Sequence, residues 1–146
     1  DYARYIASKI YTPSYISLHT ALSFYGIIPE AVVAITSITT RKTAQFENVF
    51  ASYSYQTIKP SLFWGYEPKQ LSDGKTFMLA TPEKALIDLL YLYPQYSTEE
   101  EMRELRLDED FMQNELDQER LAEYASRIGS TVLTKRIKLM LNTYGI

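Results

Sequence analysis

Hydrophobic positions recur at helical spacing near both ends of this chain and at strand spacing in between, and that change of period divides the sequence. Tyr2, Tyr5, Ile6 and Lys9 have helical spacing from the first residues onward, with no N-cap before Asp1. A second helix is strongly punctuated. Ser17 stands at its cap position, Leu18, Ala21, Leu22 and Tyr25 recur at i, i+3, i+4 and i+7, Gly26 offers a left-handed stop, and Pro29 forbids resumption. From Ala31 to Leu79 the composition turns β-branched and aromatic, in strand-length pieces at Val32–Thr39, Ala44–Phe46, Ser52–Ile58, Leu62–Gly65 and Thr76–Leu79. In Ser52–Ile58 the large residues Tyr53 and Tyr55 alternate with small or polar ones, as a half-exposed strand requires. Turn chemistry at Glu47–Asn48 and at Ser72-Asp73-Gly74 favours antiparallel hairpins.

The rest is helical. In Thr81-Pro82-Glu83, Thr81 supplies a cap oxygen, Pro82 has the fixed φ suited to the first helical position, and Glu83 brings negative charge to the first turn. Ala85, Leu86, Leu89, Leu90 and Tyr93 then form a broad apolar stripe ended by Pro94, the pattern of a central core helix. Ser97-Thr98-Glu99-Glu100 has the form of a capping box ahead of Met102 and Leu105. Leu121, Tyr124, Ala125 and Ile128 mark a further helix stopped by Gly129. Leu133, Ile137, Met140, Leu141 and Tyr144 mark the last, with Lys135, Arg136 and Lys138 on its other faces. The expected fold is α+β: N-terminal helices, a mostly antiparallel sheet of about 4–5 strands, a core helix and a C-terminal helical bundle.

Composition narrows the function classes. With 146 residues, no Cys and one His (His19), a single domain with a real core is expected, and disulfide, zinc-knuckle and Cys-nucleophile chemistry is excluded. A cytoplasmic protein is compatible with the absence of Cys, and since the longest apolar runs, Ala31–Ile35 and Leu89–Tyr93, fall far short of the ~18 residues of a membrane span, no membrane contact is expected. The net charge of −3 gives no whole-chain case for nucleic-acid binding. It is unevenly spread: residues 98–124 hold 3 basic and 11 acidic side chains, so residues 97–146 read as an acidic helical appendage to residues 1–96. Tyr is unusually frequent, 13 against 6 Phe and 1 Trp, which suits a core or an interface.

Candidate chemistry is sparse. His19 lies at a helix start with no nucleophile motif around it, and the five glycines are too scattered for a phosphate loop. Glu83, Lys84 and Asp88 resemble a nuclease carboxylate–lysine set, but Glu83 and Lys84 sit about 100° apart on a helix and do not share a strand face. Glu83 then reads as a dipole-compensating residue and Lys84 as a solvated one. The acidic runs at Glu99–Glu101 and Asp108–Asp110 lack a calcium-loop pattern. No catalytic residue, metal site or cofactor is assigned. Arg41 and Lys42, with Lys59 and the aromatics Tyr53 and Tyr55, could read single-stranded nucleic acid through phosphate contact and base stacking, or meet a protein partner.

Several blocks resemble a known family. They are Ser14–Leu18, Ala21–Glu30, Ile35–Lys42, Phe46-Glu47, Tyr53-Ser54-Tyr55, Ile58-Lys59-Pro60 and, above all, Leu79-Ala80-Thr81-Pro82-Glu83-Lys84-Ala85-Leu86-Ile87-Asp88-Leu89-Leu90. In order and spacing they resemble the C-terminal domain of the AbiEi family, antitoxins and transcriptional regulators of bacterial type IV toxin–antitoxin, abortive-infection systems. His19-Thr20 departs from the pattern, where relatives often carry an acidic residue or Ser.

The resemblance implies a non-enzymatic antitoxin domain spanning residues 1–146, one that antagonises a nucleotidyltransferase-like toxin. It also implies an N-terminal winged-helix domain, outside this stretch of sequence, through which promoter DNA would be bound. Thr81, Pro82, Glu83, Lys84 and Asp88 are then family-motif positions with a structural role. Two alternatives stay open: a nucleic-acid-binding module built on Arg41, Lys42 and the Tyr-rich sheet, and a degenerate nuclease-like domain around Glu83 and Asp88.

Overall fold

The structure, a computed structural model, describes residues 2–31 and 33–146. Helix α1 (Tyr2–Ile10) leads into β1 (Ser14–Ile16), and α2 (Leu18–Phe24) follows it directly. The middle of the chain supplies β2 (Ile35–Thr39), β3 (Ala44–Glu47), β4 (Ser52–Thr57), β5 (Tyr66–Gln70) and β6 (Thr76–Ala80). Helix α3 (Pro82–Leu92) opens the helical half, which continues with α4 (Glu99–Glu104), α5 (Gln118–Ile128) and α6 (Thr131–Thr143).

The α+β class is as expected, while the sheet needs correction. Its described strands number six, in the order β3-β4-β2-β1-β6-β5, and it is mixed: β2 runs parallel to β4 and β1 parallel to β6, with the other three pairings antiparallel. Two strands escaped the sequence reading. β1 has three residues, too few to display alternation, and β5 carries Pro68 at its centre, which argues against a strand unless that strand lies at an edge. Conversely, Leu62–Gly65 is no strand. Pro60 starts a 3-10 turn over Pro60–Leu62, and the chain then crosses to β5 as a loop. Of the expected Val32–Thr39 strand, Val32 lies outside the described residues and the strand proper begins at Ile35. The two expected turns do close antiparallel hairpins, β3–β4 and β5–β6.

The helices follow their caps. Thr81 Oγ accepts from the Lys84 amide (3.2 Å), Asp117 Oδ1 from that of Arg120 (3.0 Å) and Ser130 Oγ from that of Leu133 (3.1 Å), each satisfying an otherwise orphaned N–H. Gly129 closes α5 at φ +70°. The capping box before α4 sits one residue later than expected. Thr98 accepts from the Glu101 amide, while the Glu101 carboxylate reaches back to the amide and hydroxyl of Ser97.

Tyr53 and Tyr55 alternate as expected, and both rings are buried. The acidic last third is integrated with the rest. Met102, Leu105, Met112, Leu121, Leu133, Ile137 and Met140 join the same buried cluster as Tyr15, Ile38, Leu79 and Leu86. No helix among the described residues is long and apolar enough to cross a membrane.

Candidate functional site

The densest polar chemistry lies inside the protein, where α3 packs against β1 and the start of α2. Lys84, expected at the surface, is fully buried, and so is Asp88 one helical turn on. This corrects the reading of Lys84 as solvated. The i, i+4 spacing puts the two side chains on one face of α3, and that face turns into the core because Ala85, Leu86, Leu89 and Leu90 bury the neighbouring faces as well.

All three ammonium protons and both carboxylate oxygens of the pair are engaged. Lys84 Nζ donates to Asp88 Oδ1, Tyr15 Oη and the Leu62 carbonyl, each at 2.8 Å. Asp88 Oδ2 accepts from Tyr15 Oη and Ser17 Oγ, also at 2.8 Å. Three ammonium protons thus meet three acceptors, and the carboxylate meets three donors. Burial pushes the Asp88 carboxyl up from its ordinary range, opposed by Lys84, Ser17 and Tyr15, and pushes Lys84 down, opposed by Asp88. Tyr15 is raised by burial and then by the Asp88 charge, so its hydroxyl keeps its proton. Ser17 stands at the N-cap position of α2 without capping it, because its hydroxyl is turned to Asp88. The next residue, Leu18, takes a φ of +59°, unusual for a branched side chain and held there by full burial.

The walls around the pair are aromatic and tight. Trp64 receives Lys84 Nζ 4.8 Å from its ring centre and the Arg127 guanidinium at 4.2 Å, so the indole interacts with two cations. Tyr124 meets Trp64 edge-on at 5.0 Å and its hydroxyl lies 3.2 Å from Thr81 Oγ1, which ties α5 to the start of α3. Gly65, at φ +83°, lets the Lys84 stem pass: a Cβ there would lie 2.7 Å from Lys84 Cγ. Glu83 does more than compensate its own helix. Its buried carboxylate accepts from the Asp117 amide at the start of α5 (3.0 Å) and faces Arg120 at 3.4 Å. Thr81, Pro82, Glu83, Lys84 and Asp88 are therefore brought together over the first two turns of α3, and all but Pro82 bond to another element. Tyr15, Ser17, Trp64 and Arg120 complete the set, and the sequence reading passed over all four in this role. Ser17, a cap residue beside a short strand, carried an ambiguous signal.

Arg41, Lys42 and Lys59 are exposed, but Tyr53 and Tyr55 do not join them on the surface. Tyr53 and Tyr55 are buried, with Tyr55 Oη donating to the Ala7 carbonyl of α1 (2.6 Å) and Tyr53 Oη to Asn48 Oδ1 (3.1 Å), so neither ring is open to a stacking base. Arg41 is exposed, its guanidinium 4.2 Å over Tyr11 and its Nη1 donating to the Thr12 carbonyl. Lys42 and Lys59 are also exposed.

His19 is half-buried in a cleft of about 450 Å³ with Leu22, Ile28, Glu30, Thr36, Tyr96 and Glu104. Burial lowers its pKa, with Glu30 opposing. Among the described residues none hydrogen-bonds to its ring, and no group of three or more His, Asp or Glu side chains is placed to hold a metal ion. Compared with known proteins, the chain matches no family model and no curated protein.

Proposed function

We propose that this chain is a non-enzymatic antitoxin domain of a type IV toxin–antitoxin system, antagonising a nucleotidyltransferase-like toxin, as the resemblance to the AbiEi family implies. The observation that carries the reading is the internal saturation of the motif block. Of the positions on which the resemblance chiefly rests, Thr81, Glu83, Lys84 and Asp88 bond to one another or to Tyr15, Ser17 and the start of α5, with Lys84 and Asp88 fully buried. Such an arrangement supports a framework role for the block, with antagonism exerted by the surface it organises. A fully paired, fully buried lysine and aspartate also offer no open position to a metal or substrate, which weighs against a degenerate nuclease around Glu83 and Asp88.

Co-expression with a nucleotidyltransferase-like toxin from the neighbouring reading frame, where one is found, tests the reading. Growth should be restored by this chain alone, and continued arrest with the chain folded and abundant would overturn it. The nucleic-acid alternative retains Arg41 and Lys42 but loses Tyr53 and Tyr55 as stacking partners. It predicts salt-dependent binding of single strands that an Arg41→Ala/Lys42→Ala variant weakens.

A further inference from the structure

The two edges of the sheet are built differently. At the β5 edge the Thr81 amide donates to the Gly65 carbonyl (2.9 Å) and the Leu71 amide to that of Lys75 (2.7 Å), so odd-numbered residues of β5 bond inward to β6. The backbone of Tyr66, Pro68 and Gln70 then faces outward. Pro68 removes the central outward N–H, and Glu67 and Lys69 flank it with charge, which is how natural sheets block further pairing.

The β3 edge carries no such protection. The Asn48 amide donates to the Ala51 carbonyl (3.0 Å), so Ala44 and Phe46 bond inward to β4 and Thr43, Gln45 and Glu47 present their backbone outward. Ala44-Gln45-Phe46-Glu47 contains no proline and no lysine, and its one charge stands at the end. Exposed apolar surface surrounds it: Phe46 at 41%, Phe50 at 57% and Val49 at 94%.

We propose that β3 pairs antiparallel with β3 of a second copy of this chain, about a twofold axis perpendicular to the sheet at Gln45. Such an axis keeps each residue on its own face, so the outward-bonding residues must meet one another. Gln45 then exchanges backbone hydrogen bonds with Gln45 of the second copy, and Thr43 with Glu47. Ala44 lies opposite Phe46 on the α1-covered face, small against large, where Phe46 already meets Tyr11. Charge selects the same occupant and direction. The basic Arg41-Lys42 end of one strand comes against the acidic Glu47 end of the other, whereas a parallel arrangement would place Glu47 beside Glu47.

Sedimentation velocity across a dilution series from ~1 to several hundred μM tests this. The unmodified chain should dimerise within that range. Gln45→Pro deletes an outward N–H only, as Pro68 does at the other edge, and should raise the dimer midpoint at least ~10-fold without changing circular dichroism. Phe46→Lys should act in the same direction and decides the matter if Gln45→Pro does not fold. A chain that stays monomeric throughout overturns the proposal, including one that stays monomeric yet binds an unrelated extended peptide. A dimer that folded Gln45→Pro and Phe46→Lys both leave intact overturns it as well.

Discussion

The two ends of α3 are each held by a cation, in opposite ways. At the N-terminal end Lys84 is sealed in the core with a carboxylate partner from its own helix, Asp88. At the C-terminal end Arg136, from α6, is half-buried and donates to the carbonyls of Leu90 (2.6 Å), Tyr93 (3.0 Å) and Tyr96 (2.8 and 2.9 Å). No carboxylate is needed there, because the closing carbonyls of a helix carry partial negative charge and lack intrahelical donors. A planar five-donor guanidinium can serve several of them at once, while a compact ammonium suits the enclosed site at the other end. The difference shows two uses of buried charge: Lys84–Asp88 joins α3 to β1 and the start of α2, and Arg136 joins α3 to the last helix.

The largest test removes one member of the enclosed pair. Lys84→Met should destabilise the protein by about 3–5 kcal/mol, since it leaves Asp88 buried without its counter-ion. Asp88 is then pushed further up, and a carboxyl with a raised native pKa favours folding at acid pH and loses that contribution as pH rises. Denaturant unfolding of the variant should accordingly show relative recovery between pH 7 and pH 5, and Lys84→Met/Asp88→Leu should be less destabilised than Lys84→Met alone. Equal loss at both pH values would mean that removing Lys84 leaves the protonation of Asp88 unchanged.

Gly65→Ala should cost about 2–3 kcal/mol, because it combines a left-handed φ with contact against the Lys84 stem. Thermal unfolding measures it, and a neutral substitution would show that the wall around Lys84 can yield. At the other end of α3, Arg136→Ala should cost about 2 kcal/mol, the net worth of a few charge-assisted hydrogen bonds to carbonyls that water can partly reach. Its loss should not depend on pH between 5 and 7, in contrast to that of Lys84→Met.

The smallest effect is that of His19. Burial lowers its pKa below the unfolded value of about 6.5. Its contribution is therefore present above that value and lost as pH falls through the native pKa. Stability of the unmodified chain between pH 7.5 and 5 should decline slightly more than that of His19→Gln. Identical slopes would remove His19 from the account of acid sensitivity.

Much of the fold could be read along the chain. The caps at Thr81 and the stop at Gly129, the Tyr53/Tyr55 alternation and the hairpin turns depend on residues a few positions apart, and local chemistry decides them. The i, i+4 spacing of Lys84 and Asp88 was equally legible, but their burial was not. Whether a lysine on a helix faces water depends on what packs against that face, and here it is Tyr15, Ser17 and the loop through Leu62 and Trp64, contributed from 20 to 69 residues away. The position of Pro68 in β5 depends on distant segments too, since a proline is tolerated in a strand only if its N–H side faces outward, and edge position is a property of the assembled sheet.

By itself, then, the sequence determined the helices and the caps at Thr81 and Gly129, the two hairpin turns and the α+β class, because backbone preferences and side-chain period act over a few residues. Only the tertiary structure decided the parallel pairings of β2 with β4 and β1 with β6, which strands became edges, and which charges were enclosed. Those outcomes require distant segments to meet, and burial reverses the preferred environment of a side chain only once its hydrogen-bonding partners have arrived.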